Sequence, residues 1–183
     1  MTLALVAALS SSAATAAGAA VNACEPEIVR ASDQYGIPIG ILYSVGLTET
    51  GNKGSLQPNA LNIEGKPLFP ASRAAALAAV ASARGRGASL IDIGCMQINV
   101  KYHGGNFASL AEMFDPRKNV DYAARFLVSL KRRHETWSMA VARYHAGPNN
   151  DPAQKRYVCR VIANMVASGF GGWTANARSF CRP

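Results

Sequence analysis

The chain has 183 residues, 49% of them hydrophobic, and a formal net charge of +8 at pH 7. That length suits one compact domain, and that apolar content excludes global disorder. The basic balance favours anionic partners, yet the basic residues fall in small scattered clusters such as "KRRH" (131–134) with no nucleic-acid-binding motif beside them, so nucleic acid is not an expected partner.

The opening stretch, "MTLALVAALSSSAATAAGAAVNAC", holds no charged side chain and is dominated by Ala. Its apolar run at 3–9 and the small-residue sites "ATA" and "AGA" resemble a secretory signal that lacks the usual basic start. A disordered leader is the alternative, and "VNAC" fits a lipobox poorly. Residues 1–23 are therefore expected to be a leader, residues 24–183 the domain, with a C-terminal extension from about residue 150. No apolar run reaches the roughly 18 uninterrupted residues of a membrane span, so none is expected in the mature chain.

Helical patterning begins at 25–35, with Glu25 and Glu27 at the end the helix dipole favours and Gly36 as its cap. Pro38 opens a second helix, expected over 38–49. Residues 52–62 read as a polar loop, and "LNIEGKPLF" (61–69) as a short hairpin turning at Glu64 and Gly65. "SRAAALAAVASARGRG" (72–87) is a capped, Ala-rich helix. "IDIGCMQINVKYHGG" (91–105) shows no clean period and reads as a shaped loop. A short helix at 109–114 follows. The next helix has Pro116 near its start and Val120, Ala123, Leu127 and Leu130 on one face; two more cover 136–147 and 152–167, before a tail rich in Gly and Trp. The class is mainly α with a small β-hairpin.

Four cysteines, Cys24, Cys95, Cys159 and Cys181, suit two disulfides in an oxidising compartment. Three pairings are open; Cys24–Cys95 with Cys159–Cys181 would tie the N-terminus to the centre and pin the tail. No cysteine or histidine spacing suggests zinc, and no metal is expected.

Three segments carry candidate chemistry. On a helix turning about 100° per residue, Glu49 falls on the apolar side with Leu42 and Val45, at the last turn. Burial and the negative partial charges of a helix C-terminus both favour a neutral carboxylic acid there, the form a general acid needs. The plain alternative is an exposed helix end paired with Lys53. Gly46 and Gly51 are read as leaving room for a ligand beside the acid. In "DIGCMQIN" (92–99), Gln97 and Asn99 offer amides for sugar hydroxyls or acetamido groups, with Met96 beneath; alone, the segment is an ordinary loop. In "AVARYHAGPN" (140–149), Tyr144 ends an apolar helix, its hydroxyl expected to face a cleft, although such aromatics are more often core.

Taken in order, "YGIPIGILYSVGLTETGN", "DIGCMQIN", "NVDYAARFL" and "AVARYHAG" resemble the soluble-type lytic transglycosylases with a goose-lysozyme-like fold, above all the small members associated with secretion systems. The resemblance covers about 24–149. Thr50 stands where the family pattern has Ser, Cys95 where it has Leu, and His145 where it has Asn. It implies a lysozyme-like α+β fold with a catalytic cleft, peptidoglycan glycan strands as substrate, a periplasmic or secreted location and no cofactor. It further implies service to a secretion, pilus or flagellar assembly. Glu49 is then the catalytic acid and base, and Thr50, Met96, Gln97, Asn99 and Tyr144 the substrate-binding set. Two rivals stay open: a lysozyme-like hydrolase using Asp92 or Glu64 to activate water, and a non-catalytic glycan-binding assembly factor.

Overall fold

The computed structural model describes residues 22–182 apart from positions 53 and 148. The expected leader lies almost wholly outside the described residues, as does the Lys53 partner considered for Glu49.

Helix α1 (Glu25–Tyr35) ends on Gly36 in the left-handed region. Helix α2 spans Ile39–Thr50, one residue shifted at each end from the expected range, with Pro38 as N-cap. It is apolar nearly all round because it is central: Leu42 and Val45 are fully buried, and it packs against both α1 and α8 (Asp151–Ala167). Helix α6 (Pro116–His134) starts on an Asp115 cap and buries Val120, Ala123, Leu127 and Leu130, the predicted face. It packs on α1 and on α7 (Trp137–Ala146), which in turn packs on α8. The circuit α1, α2, α8, α7, α6 therefore closes on itself around one apolar core.

Beside this ring lies a four-stranded antiparallel sheet in the order β2-β1-β3-β4. The hairpin β1 (Leu61–Ile63) and β2 (Lys66–Leu68) turns at Glu64 and Gly65, both at positive φ, as a two-residue hairpin loop requires. The stretch expected as a loop from 91 contributes β3 (Ile91–Ile93), β4 (Ile98–Asn99), the short α4 (Val100–His103) and a 3-10 turn at Gly104–Asn106. Strands of two and three residues leave no readable alternation; bonding of β3 to β1 and of β4 to β3 makes them strands. Helix α3 (Arg73–Gly85), capped by the Ser72 hydroxyl, touches α5 (Leu110–Met113), which packs on α6. The Gly/Trp-rich tail also forms a helix, α9 (Ala175–Cys181), capped by Thr174.

The disulfides are Cys24–Cys95 and Cys159–Cys181, spanning 71 and 22 positions. The first fastens the start of α1 to the turn between β3 and β4; the second holds α9 on α8. Among the described residues, no helix is long and apolar enough to cross a membrane.

Candidate active site

A cleft of about 470 Å³ lies between the sheet and the helical ring. Its lining brings together Glu49 from the end of α2, Asn62, Asp92 and Asn99 from the sheet, Gln97 from the turn before β4, and Tyr144 from α7. Asn62, Asp92 and Asn99 sit in one row, because Asn62 pairs with Asp92 and Asp92 with Asn99 in the strand register.

The Glu49 side chain keeps 13% of its surface exposed. One of its oxygens, Oε1, accepts a 2.5 Å hydrogen bond from the Tyr157 hydroxyl. Tyr157 is a buried residue of α8. Burial, and then the negative charge of Glu49, push the Tyr157 hydroxyl well above its ordinary range, so it remains a donor at any physiological pH. The His145 imidazole lies flat against the Tyr157 ring, centroids 4.4 Å apart, with Nδ1 3.8 Å from Glu49 Oε1.

Gln97 has a φ of 46°, a conformation unusual for a residue with a side chain. It is held there because its backbone N–H and its side-chain amide both donate to the Gly94 carbonyl, and the amide also reaches the Ala60 carbonyl. Asn99 donates to Asp92 Oδ1 at 2.7 Å, while its own oxygen caps α4. Burial raises the Asp92 carboxyl above the usual carboxylate range; the hydrogen bond from Asn99 opposes this and the charge of Glu49 adds to it.

Of the other sequence-predicted residues, Tyr144 lines the cleft, while Met96 and Thr50 are buried outside its lining. Tyr144 does so with its ring, but its hydroxyl donates to the Met96 carbonyl at 2.9 Å. The hydroxyl beside the acid is that of Tyr157, not Tyr144. Met96 is fully buried and lies outside the cleft lining. Thr50 is buried as well, its Oγ1 3.1 Å from the Gly46 carbonyl and 3.2 Å from the Cys95 carbonyl, tying α2 to the β3–β4 turn. The two glycines near Glu49 make room for protein: a Cβ on Gly46 would stand 2.9 Å from Leu56 and 3.2 Å from Met96, and one on Gly51 would stand 2.3 Å from the Leu47 carbonyl oxygen. Glu64 is absent from the cleft lining; its carboxylate accepts the N–H groups of Ser89 and Leu90, which lowers it from its ordinary value and anchors the hairpin.

Two residues escaped the sequence reading. Tyr157 stands 108 positions from Glu49, on a helix outside the quoted motifs. Asn119 opens one of those motifs and is fully buried. Its amide donates to the Ile93 and Met113 carbonyls and its oxygen accepts the Met96 N–H, so it holds the turn that carries Gln97. Among the described residues, no three His, Cys, Asp or Glu side chains gather in a way that would hold a metal ion.

A helical body, a small antiparallel sheet and a cleft between them with a carboxyl at a helix end make up the lysozyme-like arrangement. Residues 27–163, well over half the chain, match the family described as the transglycosylase SLT domain, and the chain belongs to that family. No curated protein and no solved structure matches it. The family points to peptidoglycan as the substrate. The matched region runs into α8 and includes Tyr157.

Proposed function

We propose that this cleft cleaves the β-1,4 bond between N-acetylmuramic acid and N-acetylglucosamine and leaves a 1,6-anhydromuramyl end. Glu49 gives its proton to the glycosidic oxygen as the bond from C1 to that oxygen breaks. The C2 acetamido oxygen of the muramyl residue attacks C1, the substrate-assisted route open to a site with one working carboxyl. Glu49, now a carboxylate, takes the proton of the C6 hydroxyl, and O6 displaces the acetamido oxygen at C1. No water is consumed and Glu49 ends protonated, as it began.

The observation that carries this reading is the Glu49–Tyr157 hydrogen bond, a donor that keeps one carboxyl oxygen in place through both proton transfers. The surroundings of Asp92 support it: its Oδ1 accepts a 2.7 Å hydrogen bond from Asn99, which ties up an oxygen that a second working carboxylate would need. Gln97, Asn99 and the ring of Tyr144 contact the sugars, while Met96 and Thr50 support the wall behind them. The leader at 1–23 is removed and the domain at 24–183 acts in the periplasm or outside the cell, where its disulfides form, serving a secretion, pilus or flagellar assembly.

Mass spectrometry of muropeptides released from purified sacculi tests the chemistry. Anhydro ends are expected, and Glu49→Gln should lower their formation at least about 100-fold, the usual worth of a general acid. Reducing ends would favour a hydrolase that uses Asp92. No product at all would leave the glycan-binding assembly factor, and full activity in Glu49→Gln would overturn the assignment of Glu49 as the catalytic acid.

A further inference from the structure

A second cavity, of about 710 Å³, opens on the far side of His145, which lines both it and the cleft. Lys155, Arg156 and Arg160 of α8 and Arg182 at the end of α9 surround it, and no Asp or Glu lines it. Among the described residues, none of these four takes part in an ion pair, whereas Arg30, Arg73, Lys118 and Arg125 all do. The wall is fixed. The Cys159–Cys181 disulfide forms part of it, Lys155 Nζ donates to the Arg182 carbonyl at 2.8 Å, and the Arg160 guanidinium lies 5.8 Å over the Tyr157 ring. Four like charges gathered around a concavity repel one another, and among the described residues no ion pair offsets them. Such a site concentrates anions.

We propose that this cavity is an anion subsite for the carboxylates of the peptide stem carried by the muramic acid residue under attack. The proposal rests on the function proposed above for the neighbouring cleft. Glycan strands offer hydroxyls and acetamides; once the lactyl group is joined to peptide, the anions of the polymer are the carboxylates of its stems. The stem leaves the same sugar ring whose C1 reacts, and the cavity begins at an imidazole 3.8 Å from Glu49. Arginine forks pair with carboxylates through two parallel hydrogen bonds, and the open, exposed rim admits a flexible chain.

Calorimetric titration of the full chain carrying Glu49→Gln, which separates binding from turnover, tests this with two probes: a free stem peptide with its carboxylates intact, and the same peptide fully amidated. The intact peptide should bind at least about fivefold more tightly, in keeping with charge-assisted hydrogen bonds. That difference should disappear on adding Arg156→Gln with Arg182→Gln, and shrink on adding Arg156→Glu alone, a single exposed position. Equal binding of the two peptides, or a preference unchanged in both variants, overturns the proposal. Tighter binding of a glycerol-phosphate oligomer than of the stem peptide overturns it in favour of a phosphodiester polymer. Failure of the glycan-cleavage reading would appear in the muropeptide spectra instead, because this titration reads binding alone.

Discussion

The carboxyl proposed to release a proton and then recover one has to stay in place through both events, and the Tyr157 hydroxyl is placed to hold it. That hydroxyl is buried, remains protonated, and points at one oxygen of Glu49. Tyr157→Phe keeps the ring stacked on His145 and removes only that donor. A hydrogen bond to a charged group is worth about 1.5–3 kcal/mol, so kcat should fall roughly 10- to 100-fold with KM nearly unchanged. A loss confined to KM or to thermal stability would mean that the hydroxyl serves packing alone. Asp92 is the opposite case. A carboxyl raised in the fold contributes stability below its unfolded value and loses it as pH rises through the folded one, so at neutral pH its charge is a cost. Asp92→Asn retains an acceptor for Asn99. It should melt at an equal or higher temperature at pH 7, and it should still yield anhydro muropeptides; loss of all product would move Asp92 into the chemistry. Glu49 was legible in the sequence because its helix is local and its apolar side could be counted. Tyr157 was not, because a contact across 108 positions leaves no local pattern.

At the scale of elements, the turn between β3 and β4 gathers more support than its length suggests. Asn119 gives it two hydrogen bonds directly, Tyr144 holds the Met96 carbonyl, Thr50 reaches the Cys95 carbonyl, and a disulfide anchors Cys95. Each buried partner left unpaired costs about 1–3 kcal/mol. Asn119→Ala should therefore lower stability by about 2–4 kcal/mol in denaturant unfolding, with a matching loss of glycan binding as Gln97 loses its fixed place. A drop below about 0.5 kcal/mol would show that the other tethers suffice. The helices were readable from period and caps: the face of α6 and the Ser72 cap appear where the sequence placed them. The strands β3 and β4 were not, because β3 exists by pairing with β1 and β4 by pairing with β3, and runs of two and three residues are too short for a period to be read. The glycines misled for a related reason. Gly46 is small because Leu56 and Met96 press against it, and both partners lie outside its own helix, Met96 standing 50 positions on.

At the scale of the molecule, stability depends on closing the helical ring, and the α1–α6 seam is closed by charge. Asp121 of α6 accepts the Tyr35 hydroxyl at 2.8 Å and lies within 3.5 Å of Arg30 and 3.0 Å of Arg125. Burial alone would raise this carboxyl, but the Tyr35 hydrogen bond and the two arginine charges outweigh it and hold the group below the usual carboxylate range. Its contribution is then fully present above about pH 4 and is lost as pH falls through the lowered folded value. Asp121→Asn should cost about 1 kcal/mol at pH 7, and the gap from the parent should close toward pH 2, as measured by urea unfolding across that range. A gap that stays constant with pH would assign the seam to packing. The Cys24–Cys95 bond closes a loop for which chain entropy alone suggests about 4 kcal/mol, so the ring and the cleft turn are stabilised together. The place of α8 in the ring has a practical side for anyone trimming this chain to a minimal catalytic unit. A version ending at residue 149 would keep the four sequence motifs that resemble the family, although the family match itself runs on to residue 163. It would nevertheless lose the hydroxyl beside Glu49 and expose the apolar flank of α2, so a motif search would accept a protein that could neither fold soundly nor position its acid.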